Sequence, residues 1–243
     1  MLPQPASLSP EPPEPVVLSY AALRRAVGIV AVVLPFAVAI PVLIATGHIE
    51  TSISASYDTF MRDFFVGSLC AIALFMFCCR GYDRKDVIAS HLASIFATGV
   101  AFLPCIYART APFHYLCAAS LFFTLAYFCL VLFRKSSGLK TIQKVKRNQV
   151  YLACGEGILV SMFILAVLAI LHRLSVIPDD WHPHTTIFFE TTSLLCFGIA
   201  WLVKGETFLK DAPEEPARNR THTRTTDTLF ALAPNPQSSS ADR

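Results

Sequence analysis

Charged residues are scarce in this chain of 243 residues. Asp, Glu, Lys and Arg together make up 15% of it, whereas a soluble globular domain carries about 25%. Hydrophobic residues make up 54%, and the mean hydropathy is +0.53. The net charge of +3 is too small to indicate a nucleic-acid-binding surface. This composition argues against a water-soluble enzyme and predicts that a lipid bilayer surrounds most of the chain.

The motifs of common soluble chemistry are missing as well. The sequence contains no GxxxxGK[ST], no GxGxxG and no HExxH, which argues against nucleotide-binding and metalloprotease sites. Its eight cysteines include no CxxC pair and lie in or beside apolar runs, where a free thiol acts as a small hydrophobic group. We therefore expect neither a structural zinc nor a disulfide framework, although Cys105 and Cys117 could approach each other at adjacent helix ends.

Six apolar segments separate two polar, proline-containing tails. The segments lie at about 22–46, 63–79, 87–106, 113–133, 150–171 and 185–203. Each is close to the length of about 20 residues that crosses a ~30 Å hydrocarbon layer as a helix. We therefore predict an all-α polytopic membrane protein, with a six-transmembrane-helix bundle over residues 21–204. The tails, 1–20 and 205–243, are predicted to be disordered and cytoplasmic.

Basic residues divide unequally between the two sides of this predicted bundle. With the amino terminus inside, seventeen of the twenty lysines and arginines fall in cytoplasmic segments, and only Arg62, Arg109 and Arg173 fall outside. Such a division follows the positive-inside rule and predicts that both termini are cytoplasmic, an N-in/C-in topology. We expect the protein to lie in the plasma (cell inner) membrane.

Imidazole groups gather on the predicted outer side, near several carboxylates. Metal ions and proton-transfer sites both use these groups, so His182, His184, His48 and His114 are weak candidates for metal ligands. His182 and His184 flank a proline, but a zinc site would need a third ligand from elsewhere in the fold. We predict no cofactor, with zinc as the less favoured alternative.

Glu190 stands out because it lies within the sixth predicted span. An ionisable side chain there costs about 2.5–3.5 kcal/mol, so we expect it to face the bundle interior and to have a partner. Thr186 and Ser193 fall near the same helix face, at i−4 and i+3. Two interpretations stay open at this point: a catalytic or pocket-lining carboxyl, or a structural bond to a neighbouring helix.

The first outer loop, from His48 to Asp63, is the most distinctive polar segment. One interpretation is a solvated loop whose hydroxyl side chains cap turns. In the other, Arg62 holds a lipid phosphate or carboxylate, with Asp63 and His48 as proton or metal partners. The catalytic residues are thus unknown, with Glu190, Asp63 and His48 as candidates. Arg62, Thr186 and Ser193 are candidates for lipid or solute contacts.

The segment 134–149 on the predicted inner side carries six basic residues and no acidic one. Membrane topology alone accounts for these charges. They could also recruit anionic lipid or an acidic partner, since each basic residue near a charged membrane contributes about 1 kcal/mol.

The six-helix layout and the Ser52-Ile53-Ser54 segment of the first outer loop resemble the DRAM family of small membrane proteins. That family is related to FGF-receptor-activating and lipid-anchor-remodelling proteins, and the resemblance covers about 22–204. The chain also looks like uncharacterised bacterial six-span membrane proteins, which imply no known activity. In its membrane histidines it is similar to the alkaline ceramidase and adipose-receptor superfamily of zinc hydrolases, which has seven spans and a final HxxxH that this sequence lacks.

The sequence therefore predicts a small integral membrane protein of non-enzymatic accessory, lipid-handling or scaffold type. The alternative is a membrane-embedded enzyme, similar to a zinc-dependent lipid hydrolase, or a transporter with an outward-facing pocket of histidines and carboxylates. Whether the protein is an enzyme stays open. Membrane lipids and other membrane subunits are the expected partners, and nucleic acid is not.

Overall fold

The computed structural model describes residues 20–79, 83–135, 141–176, 178 and 184–208. Over these ranges the prediction of an all-α fold is confirmed, since they contain helices and no strand. The six α-helices are α1 (Tyr20–Thr46), α2 (Arg62–Cys78), α3 (Arg84–Phe102), α4 (Ala111–Tyr127), α5 (Ile142–Arg173) and α6 (Thr185–Lys204). A 3-10 turn, Ser54–Asp58, precedes α2, and a π-helical segment, Phe128–Leu132, continues α4. Most of the two predicted tails, namely 1–19 and 209–243, lies outside the described residues.

The helices pack in the order of the chain and form a closed ring. Each helix contacts the next one in sequence, and α6 returns to pack along α1. The ring has two ends, which differ in the residues that form them. The cap end is formed by loop 47–61, loop 103–110 and the first turns of α4 and α6. The basic end is formed by the first turns of α1, α3 and α5, the segment 128–135 and the last turn of α6.

Two glycines bring α1 and α6 into close contact. A Cβ atom added to Gly28 would lie 2.9 Å from the carbonyl oxygen of Gly198, and one added to Gly198 would lie 2.9 Å from that of Gly28. Small residues that let two helix backbones approach in this way are typical of helix interfaces in membranes. A larger side chain at either position would separate the helices.

The outer surface of the ring is apolar. Four helical stretches are long and apolar enough to cross a membrane, namely Tyr20–Thr46, Ala111–Leu132, Ile142–Arg173 and Thr185–Lys204. Soluble monomers rarely expose contiguous apolar patches of more than a few hundred Å². Here large side chains along several helices are exposed, among them Ile29, Phe36, Ile40, Leu74, Phe77, Ile95, Phe123 and Phe163. These helices indicate a membrane location.

Two helix boundaries differ from the predicted segments for local reasons. Helix α3 ends at Phe102 rather than near 106, because Leu103 precedes a proline and takes an extended conformation (φ −106°, ψ 93°). Helix α5 begins at Ile142 rather than near 150, because the Thr141 hydroxyl accepts a hydrogen bond from the Lys144 N–H at 3.1 Å. Apolar runs mark the part of a helix that can lie in lipid, so the polar turns before 150 give no such signal.

Candidate functional sites at the two ends of the bundle

Loop 47–61 folds back over the cap end instead of projecting from it. Its side chains Ile53, Ser56 and Tyr57 are buried. The Ile187 N–H, in the first turn of α6, donates a hydrogen bond to the Thr51 carbonyl at 3.0 Å. An amide in the first turn of a helix has no partner within its own helix, so the loop satisfies it. The loop is thereby attached to the beginning of α6.

Glu190 forms a second attachment between α6 and this loop. Its Oε2 atom accepts a hydrogen bond from the Ile53 N–H at 2.6 Å, across 137 positions of sequence. A carboxylate that accepts from a backbone amide forms a short and strong bond. The partner expected for Glu190 is therefore a loop amide and not another side chain.

His114 links three parts of the cap end from a fully buried position. Its Nδ1 atom lies 2.7 Å from the Leu103 carbonyl oxygen, and its Nε2 atom lies 3.0 Å from the Ser54 hydroxyl. A carbonyl oxygen can only accept, so Nδ1 carries the proton, and in the neutral ring Nε2 accepts from Ser54. The Cys105 thiol donates to the Ser54 carbonyl at 3.6 Å. This imidazole thus joins α4, the end of α3 and the loop.

The other side chains proposed for an outer site are spread over the surface. His48, Asp63 and His184 are exposed. Arg62 is also exposed, and its guanidinium lies 4.6 Å from the centre of the Tyr57 ring, with Nη2 3.4 Å from the phenol oxygen. The structure therefore gives Arg62 a partner within the loop.

The two hydroxyl residues predicted near Glu190 differ in their surroundings. Ser193 is fully buried and donates to the Phe189 carbonyl of its own helix at 2.9 Å, whereas Thr186 is half-buried. His182 lies outside the described residues. Among the residues that are described, no three or more His, Cys, Asp or Glu side chains form a group that could hold a metal ion.

At the basic end, Lys135 connects the end of the fourth helix to the start of the third. Its ammonium lies 2.8 Å from Asp83 Oδ2 and 3.2 Å from Asp86 Oδ1. Asp83 also caps α3, since its Oδ1 accepts from the Asp86 N–H at 3.1 Å. The hydrogen bond from Lys135 lowers the pKa of the Asp83 carboxyl, and the same bond raises the pKa of Lys135. This bridge holds Asp83 and the start of α3 against the segment after α4.

Further cations surround an aromatic group at the same end. The Phe133 ring packs against Tyr151 and Trp201, with ring centres 5.3 and 5.4 Å apart. The Lys204 ammonium lies 5.5 Å from the centre of that ring, and Lys144 donates to the Phe133 carbonyl at 3.4 Å. Arg24 lies over the Tyr20 ring at 4.2 Å. The sequence predicted the basic segment 134–149 but not that cations of other helices lie at the same end. The lysine at the end of α6, Lys204, was the one available indication of this.

No family model, no curated protein and no solved structure matches this chain. The resemblances to DRAM-like and other membrane proteins therefore stay predictions. The function has to be argued from the chemistry of the two ends.

Proposed function

We propose that the protein is a non-enzymatic membrane protein of accessory, lipid-handling or scaffold type. In this proposal all six helices cross the plasma membrane, both termini are cytoplasmic, and the basic end faces the cytoplasm. The apolar outer surface and the division of basic residues support this orientation. Lipids, and other membrane subunits that pack on the ring, are the proposed partners.

One observation carries the non-enzymatic assignment. His114, which is buried, and Glu190, which is half-buried, are the two groups best suited to acid–base chemistry. Oε2 of Glu190 and both ring nitrogens of His114 form hydrogen bonds with loop 47–61 and loop 103–110. A general acid or base must instead reach a proton of the substrate, directly or through one water. A role in holding the cap explains why both groups lie beneath a folded loop.

Replacing Glu190 tests this assignment. In Glu190→Gln the amide oxygen can still accept from the Ile53 N–H, so we expect near-normal stability. In Glu190→Ala that amide loses its partner, and we expect a loss of about 1–3 kcal/mol in the free energy of unfolding. The measurement is chemical unfolding of the purified protein in detergent.

The same pair of variants can contradict the proposal. A catalytic or transporting carboxylate would give the opposite pattern, because Gln cannot exchange a proton. If the reconstituted wild-type protein hydrolyses a lipid amide or ester, or transports a solute, and Glu190→Gln abolishes that activity while remaining folded, the accessory role is wrong.

The orientation has its own test. An epitope inserted after the exposed Ile49 is expected to bind antibody on intact cells, whereas a carboxy-terminal epitope is expected to bind only after permeabilisation. The reverse labelling pattern would overturn the proposed N-in/C-in topology.

A further inference from the structure

Lys204 is a partly buried ammonium in positive surroundings. Arg24, in the first turns of α1, and Lys144 and Arg147, in the first turns of α5, lie at the same end of the bundle, as does Asp86 at the start of α3. Asp86 already forms an ion pair with Lys135 at 3.2 Å. Lys204 forms no salt bridge with any residue in the described ranges. Removing an ammonium from water is costly unless an anion compensates for it. Within the described residues, Lys204 therefore has no anion of its own.

The four cations come from three helices that meet at this end. Gly205 fits against the first turn of α1, where an added Cβ would lie 2.8 Å from Arg25 Cγ. This contact brings the end of α6, where Lys204 lies, beside the first turns of α1, which carry Arg24. Lys144, in the first turn of α5, meets Lys204 at Phe133, where one ammonium contacts the carbonyl and the other the ring. We call Arg24, Lys144, Arg147 and Lys204 the basic cluster.

Buried polar atoms next to the basic cluster lack hydrogen-bond partners. They are Nε1 of Trp201, Oε1 of Gln143 and Oδ1 of Asn148. Trp201 lies one turn before Lys204 on α6, and the two amides lie on the same turns of α5 as the basic residues. Buried polar groups are almost always bonded, so these three atoms offer hydrogen-bonding positions to a ligand at this end. Their chemistry suits one with both acceptor oxygens and hydroxyl groups.

We propose that the basic cluster binds the phosphate of an anionic phospholipid whose headgroup carries hydroxyls, such as phosphatidylinositol. Arginine and lysine side chains are the usual partners of phosphate oxygens. The headgroup hydroxyls would donate to Gln143 and Asn148. The inference deepens the proposed lipid-handling function and rests on it, since the cytoplasmic leaflet is where anionic lipids are concentrated.

The test uses the full-length protein in nanodiscs of phosphatidylcholine, with and without phosphatidylinositol. We expect phosphatidylinositol to raise the melting temperature and to stay bound in native mass spectrometry. Lys204→Gln should weaken this binding about ten- to hundredfold, as expected when a charged hydrogen bond is lost. The matched control is Lys146→Gln, which removes the same charge from an exposed position of α5, one turn or less from Lys144 and Arg147.

Several outcomes would overturn the proposal. General attraction between lysines and a charged membrane predicts equal losses for Lys204→Gln and Lys146→Gln, so equal losses exclude a specific site. Inorganic phosphate alone should not raise the melting temperature, and a rise equal to that given by the lipid would assign the site to free phosphate instead. Phosphatidylserine should bind more weakly than phosphatidylinositol, and equal binding would remove the role given to the two amides.

Two further measurements keep the test independent of folding and of topology. In phosphatidylcholine alone, Lys204→Gln should be at least as stable as the wild type, because it removes a repelled charge, and Lys204→Arg should keep the lipid binding. If Lys204→Gln does not fold, Arg24→Gln carries the same expectation. Nanodiscs present phosphatidylinositol in both leaflets, so a negative result would refute the site without deciding the proposed orientation, which the epitope experiment tests.

Discussion

The two ends of the bundle differ in whether their polar groups have partners within the chain. At the cap end, Glu190 and His114 are bonded to backbone and side-chain groups of the same chain. At the basic end, Lys204 and Lys144 both lie against Phe133, and within the described ranges buried polar atoms such as Trp201 Nε1 have no hydrogen-bond partner. A buried group whose bonds are satisfied within the protein supports the fold, whereas an unsatisfied one indicates a place for a ligand. The residues that are conspicuous in the sequence thus form hydrogen bonds within the chain, and the less conspicuous end is where we propose a site.

The largest effect is expected at His114. Replacing it by Leu keeps much of the volume but leaves the Leu103 carbonyl and the Ser54 hydroxyl without their partner. We expect a loss of about 2–5 kcal/mol in the free energy of unfolding, since each unsatisfied buried group costs about 1–3 kcal/mol. Chemical unfolding in detergent measures the loss, and protease cleavage within loop 47–61 should become faster.

The matched control is His91→Leu in the neighbouring helix α3. His91 is exposed, and its ring stacks on Phe77 at 5.0 Å between ring centres. Substitution there should change the stability by less than about 1 kcal/mol. If both variants lose the same amount, His114 does not hold the cap, and the contrast between the two ends is lost.

The sequence singles out Glu190 and His114 at the cap end but does not predict how they are connected. The cost of a carboxyl within an apolar segment predicts that Glu190 has a partner, and the hydrogen bond to Ile53 provides one. That partner is a backbone amide, and backbone amides look alike in any sequence. His114 was a weak candidate for a metal ligand on composition alone, because the distances from its two ring nitrogens to Leu103 and Ser54 depend on how the loops fold.

A smaller effect is expected at Arg62, where two interpretations can be separated. Its guanidinium lies over the Tyr57 ring, a contact worth about 0.5–1 kcal/mol at an exposed site, so Arg62→Met should destabilise the loop by about that amount. Arg62→Lys keeps the charge but loses part of the planar stacking, so an intermediate value is expected. If both variants unfold like the wild type while Arg62→Met loses bound lipid, the predicted lipid contact is right and the structural role is wrong.

The basic end was the harder one to foresee. Hydropathy and the positive-inside rule account for lysines and arginines near helix ends without requiring any of them to meet. Two features of the fold bring them together. The polar first turns of α5 are helical, which places Lys144 at the Phe133 carbonyl, and Gly205 lets α6 end against α1. Neither feature can be predicted from the lengths of the apolar segments.

The smallest effect is expected from acid, at the bridge of the basic end. The pKa of Asp83 is lowered by its hydrogen bond to Lys135, so the bridge stabilises the fold above the ordinary aspartate pKa of about 3.9, and this contribution is lost as the pH falls below that value. The pKa of Lys135 is raised by the same bond, so its contribution is present at neutral pH and is lost only at strongly alkaline pH. Both side chains are substantially exposed, which keeps the effect small.

Asp83→Asn tests this directly, because Asn keeps the side-chain oxygen that caps α3 while removing the charge that pairs with Lys135. Melting temperatures of the wild type and the variant are compared from neutral pH into acid well below the ordinary aspartate pKa of about 3.9, because the pKa of Asp83 in the folded protein is lowered. We expect the two to differ slightly at neutral pH and to converge in acid, since protonated Asp83 resembles Asn. Parallel curves would mean that the bridge adds nothing to stability.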